Sequence, residues 1–301
     1  MWLIFALLTT FSWAFADLFY KRGAVSTDKS SHIKTVIMVG FVMGIHAFGH
    51  MILNRISFSL IYLVIYFPVS FMYILSMAIG YFGLRYIELS ISSPVQNSSG
   101  AITSILIFVF FTHTLSVLEI GAIVIITSGI VVLAVLEKRD SGQSLIREKI
   151  DNKYHLSFAA IVFPILYCVI DGLGTFADAI YLDELSLIGE NEALLAYEFT
   201  FLICAVIAFV YVKVKKEPFN LFKEKDRGVA AIFETIGQFF YVFAMARNAI
   251  IVAPLIASYS VFSVLLSRVF LKEKLAHRQY QVIAGVLTGI ALLALSEALE
   301  Y

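Results

Sequence analysis

Five carboxylates lie inside long apolar runs of this chain: Asp17, Asp171, Asp178, Glu198 and Glu234. An ionisable side chain deep in a bilayer costs about 2.5–3.5 kcal/mol on insertion scales, so each needs a reason to be there. Asp171, Thr175 and Asp178 fall at i, i+4 and i+7, one face of a helix, with no Lys or Arg within two turns of Asp171. Glu234, Gln238 and Tyr241 repeat that spacing. Such stripes can neutralise an ammonium group, take up a coupling proton, or do both. Two readings are open for Asp171: a group that acts on a solute, or a neutral carboxyl hydrogen-bonded to a neighbouring helix. Asp17 has Lys21 at i+4, so it either lines a cavity or is neutralised by that snorkelling cation. Glu234 lies about two turns from Arg227 and faces either inward or the rim. Asp178 and Glu198 are expected nearer an outer mouth.

Aromatic side chains accompany the acids. Trp13, Tyr81, Tyr167 and Tyr241 sit centrally in their runs, and ring faces attract organic cations. With 27 Phe and 15 Tyr in the chain, that coincidence carries little weight alone. Ser93-Pro94-Val95-Gln96-Asn97-Ser98-Ser99 places Pro94 in an expected first helical turn. The polar run after it either lines a cavity or only hydrogen-bonds helices together, with Asn97 the preferred cavity residue and Tyr259 at the matching depth of a later run, paired with Ser99. The substrate-binding candidates are therefore Trp13, Tyr81, Asn97, Asp171, Glu234, Gln238, Tyr241 and Tyr259; the proton-coupling candidates are Asp17, Asp171 and Glu234. His46 and His50, at i and i+4, have the spacing to share a metal, but no third ligand is near, and packing histidines are expected instead. Gly40-x-x-x-Gly44 and Gly285-x-x-x-Gly289 are expected to let helices approach closely. No Walker loop, His-Glu-x-x-His or CxxC pattern is present, so no catalytic residue, metal or cofactor is expected, and ATP does not drive the cycle.

The elements that must hold these residues follow from composition. Of 301 residues, 60% are hydrophobic and 15% charged, with a mean hydropathy of +0.89. A formal net charge of +0 gives no field to draw in nucleic acid. About ten continuously apolar runs are long enough to span a bilayer: 2–20, 35–53, 59–84, 94–111, 117–136, 157–180, 193–212, 228–246, 251–270 and 278–297. They lack the alternation of barrel strands. The expected fold is an all-α membrane protein. Ala14-Phe15-Ala16 imitates a signal cleavage site, but no positive charge precedes the first run and Lys21-Arg22 follow it, so the run is expected to stay.

Sliding the chain against itself aligns Tyr81–Tyr86, Pro94 and Ser98 with Tyr241–Ala246, Pro254 and Ser258, and pairs His113 with Glu273. A weaker match sets Trp13 beside Tyr167 and Asp17 beside Asp171. Ten transmembrane helices would then form two inverted five-helix repeats, at 1–136 and 157–301, joined by a cytoplasmic connector at 137–156. An odd number of spans per repeat inverts the second copy and leaves a site between the two near the midplane. Threading ten spans gathers every Lys and Arg except Arg55 and Arg247 on one face, which puts both termini outside the cell (inner) membrane.

The stretch Tyr241–Leu293, with Ala246-Arg247-Asn248, Ala253-Pro254-Leu255, Phe270-Leu271-Lys272-Glu273-Lys274 and Gly285-x-x-x-Gly289, resembles the C-terminal repeat of drug/metabolite transporters of the EamA type, and Tyr81–Leu133 looks like the N-terminal copy. His113 departs from the pattern, since such repeats often carry the Glu seen as Glu273. The resemblance implies a ten-helix secondary carrier with a central cavity, often an exporter of amino acids or other small metabolites. The expected function is secondary active transport of a small polar metabolite, amino acid or amine by alternating access, with export the expected direction and a proton the expected coupling ion. The expected partners are that solute and membrane lipid, in a monomer or homodimer. A flippase for a lipid-linked substrate, or a non-transporting membrane partner, is the alternative.

Overall fold

The computed structural model describes residues 2–25, 27–112, 114–147 and 162–299. Those residues form helices and turns, with no strand among them. In lipid a backbone must satisfy its own hydrogen bonds, and a helix does so within one segment. The helices are α1 (Trp2–Gly23), α2 (Ser31–Leu53), α3 (Ile61–Ile65), α4 (Phe67–Gly83), α5 (Leu89–Asn97), α6 (Ser99–Phe110), α7 (Val117–Arg147), α8 (Val162–Ala179), α9 (Glu190–Val214), α10 (Lys225–Ala257), α11 (Tyr259–Leu266) and α12 (His277–Leu299). Single wider turns extend α8 to Glu184 and α11 to Leu271. Among the described residues seven segments are long and apolar enough to cross a membrane: Trp2–Gly23, Ser31–Leu53, Val117–Leu136, Val162–Glu184, Glu190–Val214, Lys225–Leu271 and His277–Ser296. Phe67–Gly83 is apolar but shorter.

Several boundaries differ from those expected. The run at 59–84 divides at Tyr66, because Pro68 favours a fresh helix start and restricts the residue before it. Pro94 lies inside α5 rather than in its first turn, since the helix already begins at Leu89. Its missing N–H leaves the turn behind it weaker, and the helix breaks at Ser98, whose hydroxyl donates to the Pro94 carbonyl at 2.9 Å. Pro254 and Ser258 likewise place a proline four residues before the break between α10 and α11, with the Ser258 hydroxyl donating to the Leu255 carbonyl instead. Across the expected gap at 247–250, α10 carries on, with only Asn248 extended (φ −166°, ψ 76°). Helix α7 runs on to Arg147, so the connector begins as helix. Residues 148–156 of that connector, and His113, lie outside the described residues.

The packing is polar inside and apolar outside. Ile45 is 75% exposed and Val269 69%, while Asp178 and Glu198 are fully buried. That inversion fits an apolar surrounding medium. Helix α1 packs on α10, α4 on α8, α2 on α9 and α7 on α12. At the α2–α9 contact the backbones nearly touch: a Cβ on Gly40 would stand 2.4 Å from the Phe201 carbonyl oxygen. Gly289 likewise packs on Ile126 of α7, but Gly285 has open space around it, so only one glycine of that pair serves close approach. Gly40→Val is expected to lower stability by about 1–3 kcal/mol, seen as earlier thermal unfolding in detergent, and Gly285→Val to leave it unchanged. Equal melting of the two variants would contradict this packing.

Polar ties gather the connecting turns at two opposite ends. At the basic end, Lys21 Nζ donates to the carbonyls of Leu84 (2.8 Å) and Ile87. Arg227 reaches Ser31 Oγ at 2.8 Å, Asp28 and Glu224. Burial works to raise the Asp28 carboxyl, but Lys34, the Ser30 N–H and Arg227 outweigh it and hold the group below its usual range. At the same end the Glu273 carboxylate accepts from the N–H groups of Leu89 and Ser90, capping α5. At the other end the Asp183 carboxylate accepts from the Ala249 N–H at 2.7 Å, where the helix restarts after Asn248.

Candidate functional site

Four helices bring equivalent stripes to one cavity of about 70 Å³. Helix α1 presents Trp13, Asp17 and Tyr20 at i, i+4 and i+7, and α10 presents Glu234, Gln238 and Tyr241 at the same spacing. Helix α8 adds Tyr167, Asp171 and Thr175, and α4 adds Tyr73, Met77 and Tyr81, each set advancing four residues at a time. The breaks at Ser98 and Ser258 let Asn97, Ser99 and Tyr259 complete the wall. All eight substrate-binding candidates, and Asp17, therefore line the same space. It has room for roughly five waters, so a larger solute needs the walls to part.

Each acid is held by hydroxyl groups. Asp17 Oδ2 accepts from Ser93 at 2.6 Å and from Ser263 at 2.8 Å. Asn97 Nδ2 in turn donates to the Ser93 carbonyl at 2.9 Å. Asp171 Oδ2 accepts from Ser99 at 2.8 Å, and Glu234 Oε2 from Tyr20 at 3.3 Å. Lys21 supplies its ammonium to the backbone carbonyls named above, and Asp17 lines the cavity. Among the described residues no Lys, Arg or His lines this space, although three carboxylates do. Among the described residues, two buried groups at the wall, Tyr81 OH and Gln238 Nε2, have no hydrogen-bond partner. The Trp13 ring lies 5.1 Å from that of Tyr241 and 5.7 Å from that of Tyr259, forming an aromatic side to the cavity. Gly237 makes this possible, because a Cβ there would stand 2.4 Å from the indole.

Two acids expected at an outer mouth are instead fully buried away from the cavity wall. Asp178 accepts from Tyr66 OH and, at 3.5 Å, from Tyr73 OH. Glu198 is paired with His46 Nδ1, 2.7 and 2.9 Å from its two oxygens, and so sits between α9 and α2. His50 Nε2 lies 2.9 Å from Asn191 Oδ1. Both histidines thus have packing partners, and among the described residues no group of three side chains is placed to hold a metal. Sequence reasoning missed Tyr20, Tyr73 and Tyr197. The residues of α4 that stand 160 positions before Glu234 and Gln238 are the apolar Ile74 and Ala78, but the face of α4 at the cavity is the one through Tyr73, Met77 and Tyr81. That stripe was readable from its four-residue spacing, as was Tyr20 three residues after Asp17.

Residues 158–295 match the family described as the EamA-like transporter family. The second half of the chain is thus similar to that family. The match begins just before α8 and ends within α12, so the matched segment supplies Asp171, Glu234, Gln238, Tyr241 and Tyr259 to the cavity, while the first half of the chain supplies Trp13, Asp17, Tyr81 and Asn97. A protein of known crystal structure, 14% identical, has the same fold over 99% of this chain and 98% of its own, with a TM-score of 0.67. No curated protein sequence matches this chain. With seven apolar segments long enough to span a bilayer among the described residues, the chain is a multi-pass membrane protein, and its second half is similar to a transporter family.

Proposed function

We propose that this protein is a secondary active carrier of a small organic cation, an amine or an amino acid bound through its ammonium group. The observation that carries this reading is the cavity wall: three carboxylates, an aromatic side at Trp13, and no cationic side chain among the described residues. A protonated amine neutralises a buried acid, stacks on rings and can satisfy oxygens such as Tyr81 OH. Solutes carrying phosphate have no positive partner there.

Ten spans in two inverted repeats account for the packing pairs. The first span of each half, α1 or α8, packs on the third of the other, α10 or α4. A two-fold relation between the halves requires that reciprocity. The 47-residue segment Lys225–Leu271 then counts as two spans folded at Asn248, and Leu89–Phe110 as one span broken at Ser98. The basic end faces the cytoplasm on this reading, by the excess of Lys and Arg in its turns. Rocking α1 and α10 against α4 and α8 would expose the cavity to each side alternately, with Asp17 or Glu234 accepting the coupling proton.

Purified protein screened against amines, zwitterionic amino acids and organic phosphates tests the class. A true cation substrate at one hundred times its Kd is expected to stabilise the fold by about 2.7 kcal/mol, raising the melting temperature. Organic phosphates are expected to leave it unmoved. Stabilisation by the phosphates alone would overturn the assignment.

A further inference from the structure

We infer that two tyrosine pairs close the cavity at its two ends, each backed by a charged side chain that clamps a helix turn, so that this conformation has both gates shut. The inference rests on the carrier reading above and adds which residues control access.

At the basic end the Tyr20 and Tyr81 rings lie 4.6 Å apart, joining α1 to α4. One residue beyond Tyr20, Lys21 reaches across to the carbonyls of Leu84 and Ile87, just past the end of α4. A cation suits that place, where helix carbonyls are left without partners. At the opposite end the Tyr73 and Tyr241 hydroxyls meet at 2.5 Å, joining α4 to α10. Asp183, at the far end of the α8 segment, accepts from the Ala249 N–H at the restart of α10. An anion suits that place for the converse reason.

The two ends correspond. Tyr81 and Tyr241 are partners in the sequence repeat, and so are the turns after them, Leu84–Leu89 and Ala244–Ala249. In each case the end of the segment that opens its half, Lys21 after α1 or Asp183 after α8, holds the turn that follows a cavity tyrosine. All four tyrosines line the cavity, so the gates form its roof and floor. Alternating access requires that one such set release while the other holds.

The test reads access, not transport. A single reporter thiol, Ala253→Cys in a Cys168→Ser, Cys204→Ser background, is exposed to a membrane-impermeant maleimide in vesicles of each orientation. Tyr73→Phe is expected to speed labelling roughly fivefold from the Asp183 end only, as loss of one buried hydrogen bond would allow. Lys21→Met is expected to speed it by a similar factor from the basic end only. Tyr241→Phe and Tyr20→Leu repeat the two arms should either variant fold poorly, as judged by melting in detergent. Side-specific labelling supports the gates even if no solute is found to move. Unchanged labelling, or acceleration from the same side by both sets, overturns them and leaves the carrier reading to its own assay.

Discussion

Asp171→Asn is expected to abolish transport, with initial rates in proteoliposomes falling at least about 100-fold, while membrane insertion and melting change little. Asparagine has the same shape and keeps an oxygen to accept the Ser99 hydroxyl, now at 2.8 Å from Asp171. What disappears is one negative charge on a buried wall that no Lys, Arg or His lines among the described residues. Removing one partner of a buried ion pair costs about 3–5 kcal/mol, because the remaining charge is left uncompensated. Here that charge would be the substrate's ammonium group. The loss should therefore appear in binding as well as in turnover, and no second cation at the site would mask it. Wild-type rates in this variant would remove Asp171 from the substrate site.

The stripes were legible because helix periodicity is strict. Asp171 with Thr175, and Glu234 with Gln238 and Tyr241, reach one cavity simply because residues three to four apart share a face. What periodicity cannot give is the direction of that face, which packing decides. Asp178 continues the Asp171 stripe by one turn, yet it meets Tyr66 of the short α4 entrance rather than the cavity. Glu198 looked like a mouth residue from its distance to the helix end, but His46 on a helix remote in sequence encloses it. Pro94 shows the same limit for boundaries. It resembles a helix start, but Leu89 and Ser90 already find N-terminal caps in Glu273, a carboxylate 184 and 183 residues further along. Such long-range partners leave no trace in local spacing. The division of 59–84 at Tyr66 was in contrast written locally, in Pro68.

Asp17→Ala is expected to destabilise the protein by about 2–3 kcal/mol, whereas Asp17→Asn should fold normally and still fail to couple transport to a proton gradient. Asp17 accepts two hydroxyls at one oxygen, from Ser93 at 2.6 Å in α5 and Ser263 at 2.8 Å in α11. Those helices are the broken ones of opposite halves of the chain, so a single carboxyl ties both to α1. Alanine leaves both fully buried hydroxyls without this acceptor, and each loss costs about 1–3 kcal/mol, reduced where a serine turns to a carbonyl of its own helix. Asparagine preserves an acceptor oxygen and the packing, but cannot exchange a proton. The two variants therefore separate structural support from chemistry: melting should fall for alanine alone, and gradient-driven accumulation should vanish for both. If the asparagine variant still accumulates solute against its gradient at the wild-type level, Asp17 serves only to hold α5 and α11 together, and Glu234 becomes the carboxyl to test for coupling.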